Sequence, residues 1–203
     1  MIAPLYRDDW LLVVNKPAGL LSVPGRGEDK QDCLSSRVQE IFPDALIVHR
    51  LDMATSGLLV FARGIEMQRQ LSAMFHNREV SKRYVAIVAG KLQPDEGEIN
   101  LPIGADWNER PLRKIDEATG KPSLTRYRVL SREADTTRVE LEPVTGRTHQ
   151  LRVHMRAAGH PILGDALYGE VTSAPRLLLH AQSLGFVHPV SKVSASFVCP
   201  APF

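Results

Sequence analysis

The chain has 203 residues, of which 43% are hydrophobic and 24% charged, and its formal net charge is +2. That supplies enough apolar material for a packed core and too ordinary a charge content for wholesale disorder. The length suits one domain, so a single catalytic domain over residues 1–203 is the expectation.

Two cysteines, Cys33 and Cys199, define neither a disulfide framework nor a zinc site. Arg7, Asp8 and Asp9 precede only a short apolar run, unlike a secretory signal, and no stretch approaches the roughly 18 apolar residues of a membrane helix. A soluble, cytoplasmic protein is expected. Between Arg63 and Lys91 six basic residues stand against two acidic ones, and between Arg110 and Arg156 eleven against six. Such stretches suit a phosphate backbone, or simply a solvated basic face.

In chain order, Trp10 to Val14 reads as a buried strand, ended by a turn at Asn15-Lys16-Pro17-Ala18-Gly19. Asp32 to Phe42 reads as a helix, with Leu34, Val38 and Ile41 on one face and Pro43 as its stop. Ile47-Val48 leads into a strand or ends one, and Gly57 to Ala62 is an apolar run suited to a central strand. Ile65 to Phe75 has helical spacing, and Tyr84 to Ala89 is rich in strand formers. Proline and glycine predict an irregular stretch from Gly90 to Pro122. Leu124 to Leu130 and Arg138 to Val144 predict a hairpin around a polar loop. Thr148 to Ala158 predicts a helix with Gly159 at its end, and Leu177 to Leu179, Phe186-Val187 and Ser194 to Val198 close the chain as strands. Strands outnumber helices without alternating with them. The expected class is α+β, a mixed and largely antiparallel sheet flanked by helices and loops.

Three segments could carry chemistry. The first is Val48-His49-Arg50-Leu51-Asp52-Met53-Ala54-Thr55-Ser56-Gly57-Leu58, a short polar insertion between two apolar strands. Catalytic groups favour such loops; equally, Asp52 and Thr55 could bond the backbone of a plain turn. The second is Gly146-Arg147-Thr148-His149-Gln150-Leu151-Arg152-Val153-His154. A helix start there, with Thr148 and Arg152 four apart, suits a phosphate or carboxylate; a surface helix with scattered bases reads equally well. The third is Ser81-Lys82-Arg83-Tyr84, where Tyr84 is either core or a ring offered to a base. No cysteine–histidine spacing suggests a metal site and no glycine-rich phosphate loop follows a strand, so neither metal nor cofactor is expected.

Those residues carry a resemblance. His49-Arg50-Leu51-Asp52 with Thr55-Ser56-Gly57-Leu58 resembles the signature of the RluA family of pseudouridine synthases; the sister RsuA family has glycine in place of His49. Asn15 to Leu20, Lys82-Arg83-Tyr84, Gly146 to His154, Gly159 to Asp165 and Leu177 to Ala181 resemble its other motifs, so the likeness runs from about Tyr6 to the end. Leu20 to Arg26 and Met53-Ala54 resemble the compact, dual-specificity type, which lacks the S4 RNA-binding domain of larger relatives.

The resemblance implies a monomeric RNA pseudouridine synthase acting on a 23S rRNA hairpin and tRNA anticodon stem-loops. It makes Asp52 the catalytic carboxylate, Arg152 its partner and Tyr84 the ring against the flipped uracil. Arg50 fills the space the base leaves. His49, Thr55, Lys82, Arg83, Arg147, His149 and Gln150 are expected to contact RNA, and Arg113 and Lys114 to bind phosphates. Two other readings stand beside it: a non-catalytic RNA-binding or RNA-folding module on the same scaffold, and a nucleoside hydrolase using Asp52. The intact Asp52, Tyr84 and Arg152 set disfavours the first. The lack of a second carboxylate in a comparable setting disfavours the second.

Overall fold

The computed structural model describes residues 3–203, the side chain at 29 apart. The chain gathers into two compact units, one comprising residues up to Lys82 with Ala181–Pro202, the other Arg83–His180 with Phe203. Every named strand pair described is antiparallel, and helices are few, giving an α+β fold.

In the first unit β1 (Pro4–Arg7), β2 (Leu11–Lys16), β4 (Ser56–Arg63) and β11 (Leu179–Val187) lie in that order, with β3 (Ala45–Ile47) on β4 and β12 (Ser194–Val198) on β11. Seven consecutive residues of β4, Ser56 to Ala62, are buried. Strands enclosed on both faces carry such unbroken apolar runs, which is why this one reads clearly in the sequence. Between β2 and β3 the helix α1 (Leu34–Gln39) is shorter than its pattern suggests. It starts after Cys33 and leaves Ile41 outside and exposed. Helix α2 (Ile65–His76) sets Met67 and Leu71 on a core of Leu11, Val13, Leu58, Val60 and Phe186. Gly57 has a φ of 117°, and a Cβ there would stand 2.4 Å from the carbonyl oxygen of Ala181. Only glycine tolerates that approach.

In the second unit the sheet order is β5 (Ser81–Ala89), β10 (Thr136–Pro143), β9 (Leu124–Arg132), β6 (Glu96–Asn100). The β9–β10 hairpin matches expectation. Thr137, Val139, Leu141 and Pro143 turn inward and Arg138, Glu140 and Glu142 outward, the period of two of a half-solvated strand. The stretch from Gly90 to Pro122 corrects the sequence reading. It holds β6 and a separate hairpin of β7 (Ile103–Ala105) and β8 (Arg113–Ile115). Helix α3 (Gln150–Ala157) also begins later than its pattern. His149 caps it in the left-handed region at φ 58°, so Thr148 lies outside and does not share a helical face with Arg152. Among the described residues no helix is long and apolar enough to cross a membrane.

Candidate active site

In the first unit, residues 48–55 form an irregular loop between β3 and β4. Its backbone is fastened on both sides of Asp52. The Ser22 hydroxyl donates to the Leu51 carbonyl at 2.7 Å and accepts from the Leu51 N–H at 3.1 Å. The Met53 carbonyl accepts from the Gly19 N–H at 2.8 Å and from Lys16 Nζ at 3.0 Å. The Thr55 N–H closes a turn onto the Asp52 carbonyl at 3.1 Å. Asp52 is half-buried, Arg50 exposed and Thr55 buried. His49 Nε2 accepts from the Val60 N–H at 3.0 Å, and its ring stacks on Phe75 with centroids 4.2 Å apart. Burial, and then the charge of Lys82, lowers its pKa to about 3, so the ring is neutral and anchors the loop to β4.

In the second unit, Arg152 is only 4% exposed on α3, and Asp165 is fully buried. Arg152 Nε and Nη2 donate to the two Asp165 oxygens at 2.8 and 2.7 Å. Such a fork fixes a guanidinium in one plane. The Arg152 guanidinium also lies over the ring of Tyr168, 5.1 Å from its centroid. Burial pushes the Asp165 carboxyl up, but the bonds and charge of Arg152, with the Leu167 and Tyr168 N–H groups, outweigh it and hold the pKa below the usual range.

The other expected contacts of this unit divide by geometry. Arg147 is exposed, and His149 Nδ1 lies 2.7 Å from the Tyr168 hydroxyl. Gln150 is buried. Its carbonyl oxygen accepts from Thr145 Oγ1 and the Arg147 N–H, and its amide donates to the Leu124 carbonyl and Thr125 Oγ1. Those bonds spend the side chain on holding the turn before α3. Tyr84 is half-buried on β5, and Arg83 takes the opposite face by strand alternation. There Arg83 donates to Glu140 at 2.6 Å, in a groove of about 530 Å³ shared with Glu98, Arg126, Arg128 and Glu142. With Glu96 the lining holds three arginines and four glutamates, one more acid than base, so a phosphate there would have to displace Glu140.

Residues 10–157 match the family model described as RNA pseudouridylate synthase. The chain belongs to that family. It is an RNA pseudouridine synthase, an isomerase whose substrate is RNA. The dual-specificity RNA pseudouridine synthase RluA of Escherichia coli (strain K12) is 52% identical, over 98% of this chain and 93% of its own. That of Pasteurella multocida (strain Pm70) is 49% identical over the same shares. Among solved structures, human RNA Pseudouridylate Synthase Domain Containing 1 superposes with a TM-score of 0.84 at 33% identity, covering 100% of this chain and 84% of its own.

In this synthase, Lys16 has a part that its sequence does not announce. Its side chain is fully buried, and Nζ donates to the carbonyls of Pro17, Leu20 and Met53 at 2.9, 2.7 and 3.0 Å. Burial lowers its pKa to about 8, and the charge of Asp52 acts in the opposite sense. A buried ammonium that feels the Asp52 charge while gripping the next residue's carbonyl both positions the loop and sets its field. The only available signal was a lysine at the end of an apolar strand, and charged residues there are ordinarily exposed. Lys16→Met is expected to lower stability by roughly 2–4 kcal/mol, because Pro17 and Leu20 lose a buried donor. Urea unfolding at neutral pH measures it; a change under 0.5 kcal/mol contradicts the role.

Proposed function

We propose that this synthase modifies two RNA classes, a hairpin of 23S rRNA and tRNA anticodon stem-loops, with Asp52 as its catalytic carboxylate. The fastening of Leu51, Met53 and Thr55 supports the assignment, since it holds residue 52 on a loop that cannot drift. The substrate pair is supported by 52% identity to a relative named for dual specificity.

In this reading the C1′–N1 glycosidic bond breaks, the uracil turns, and a C5–C1′ bond forms as the C5 proton leaves and N1 gains one. The change is an isomerisation, so electrons and atoms balance without a redox partner. Asp52 attacks C1′ or C6, or takes a proton from C2′. Arg152, whose guanidinium Asp165 fixes in one plane, is the catalytic arginine of this reading. The target base must leave its stack, at a cost of a few kcal/mol. The ring of Tyr84 recovers part of this, as base–aromatic stacking contributes about 1–3 kcal/mol. Arg50 occupies the gap in the helix. Arg147, His149 and Lys82 contact the RNA backbone, and the protein works as a monomer in the cytoplasm.

The test is direct. Transcripts of both RNA classes are incubated with the protein, and pseudouridine is mapped by carbodiimide-dependent reverse-transcription stops. Product at one position in each class is expected. Product in only one class overturns dual specificity, and release of free uracil replaces isomerisation with hydrolysis.

A further inference from the structure

The hairpin of β7 and β8 ends in a feature that the catalytic reading leaves unused. Trp107 sits in its connecting loop with 71% of its surface exposed. Tryptophan is among the most buried residues on average, so such exposure is unusual. The guanidinium of Arg110 stands 4.3 Å from the ring centroid and covers one face. At 71% exposure, much of the ring remains open to solvent beside that guanidinium.

The arm that carries this ring is firmly rooted. The Asp106 N–H donates to the Leu112 carbonyl at 3.0 Å and the Leu112 N–H to the Glu109 carbonyl at 2.8 Å, which closes the loop. The Arg113 N–H donates to the Tyr168 hydroxyl at 2.8 Å. Ile103, Leu112 and Ile115 pack with Val153 of α3 and with Tyr168. The arm is thus tied to the helix that bears Arg152. Arg113 Nε is also the one buried side-chain polar atom without a hydrogen-bond partner among the described residues. A donor left unmet in this way is costly until an acceptor arrives.

We propose that this hairpin is a docking platform for one unpaired RNA base outside the target uridine. The exposed indole of Trp107 stacks the base, Arg110 backs the ring, and Arg113 and Lys114 take the adjoining phosphates. The surroundings favour RNA over protein. Protein interfaces surround a buried aromatic with apolar neighbours, whereas Trp107 is flanked by Asp106, Asn108, Glu109 and Arg110. An isolated ring beside cations is the arrangement that holds single-stranded bases. The inference rests on RNA being the substrate, not on the catalytic role given to Asp52.

Two tryptophans, Trp10 and Trp107, are present, so Trp10→Phe protein reports on Trp107 alone. An RNA stem-loop with unpaired loop bases is expected to quench that fluorescence, and a fully paired duplex of the same length is not. Trp107→Ala is expected to raise Kd for the stem-loop about 5- to 150-fold. The loss falls on KM more than on kcat, and the salt slope is retained. Trp107→Phe recovers most of the affinity. Arg113→Gln instead lowers the salt slope by about one phosphate's worth. An unquenched Trp107 together with an unchanged Kd in Trp107→Ala overturns the platform and turns the exposed ring over to a protein partner. Quenching without pseudouridine in any transcript strikes at the proposed substrates and leaves the platform standing.

Discussion

Asp52→Asn is expected to reduce pseudouridine formation by roughly a thousandfold or more, as loss of a reacting group does in other enzymes. RNA affinity should stay within about threefold, because contacts that position RNA are spread over many groups. The substitution keeps the volume and planarity of the side chain and removes its charge. The loop should survive it, since Ser22, Gly19 and Lys16 hold the backbone at Leu51 and Met53 whatever side chain stands at 52. Single-turnover assays with excess protein, beside filter binding of the same RNA, separate chemistry from affinity. Turnover within tenfold of wild type in a folded variant would remove Asp52 from the mechanism.

The largest effect on stability is expected at Asp165. Arg152 and Asp165 are 4% and 0% exposed, so Asp165→Ala leaves a buried cation without its fork. Breaking a buried pair from one side costs about 3–5 kcal/mol. Replacing both members, as in Arg152→Met with Asp165→Leu, should recover much of that stability and none of the activity. A double variant as unstable as the single one would assign the loss to the backbone that Asp165 also holds, through the Leu167 and Tyr168 N–H groups.

The sign of the pH dependence separates this pair from the buried histidines. Asp165 has its folded pKa below the ordinary 3.8, so its contribution is complete above that value and is lost as pH falls through the folded one. His49 and His154 are lowered from 6.5, both chiefly by burial. For them the unfolded chain binds the proton first, and stability begins to fall below about pH 6.5. Acid unfolding of Asp165→Ala should therefore become shallower below pH 4, where Asp8, Asp32 and Asp116 still contribute, and stay unchanged above it. A change above pH 4 as well would contradict the assignment.

The α+β class was legible because local patterns record which face of an element is buried. The unbroken Ser56 to Ala62 run, the helical spacing of α2 and the alternation of β10 each state their environment without reference to distant chain. The two candidate segments, His49 to Leu58 and Gly146 to His154, stand out in the sequence because each is a contiguous motif. The strands β6, β7 and β8 were hidden for the opposite reason. They are three to five residues long, and β6 exists because Glu96, Glu98 and Asn100 meet Arg128, Arg126 and Leu124 far along the chain. Proline and glycine nearby made the segment look irregular.

What the sequence by itself determined was the type of the longer elements, the motif residues and, through them, the family. Tertiary structure alone decided which polar groups go inside. Lys16 is buried because three backbone carbonyls converge on its ammonium, and Gln150 because four internal partners satisfy its amide. Arg152 is buried because Asp165, thirteen residues on, meets its guanidinium edge. Burial of a polar side chain is permitted only when its hydrogen bonds are met. Part of each set comes from distant chain, Met53 for Lys16, Leu124 and Thr125 for Gln150, and Asp165 for Arg152, so no local pattern announces it.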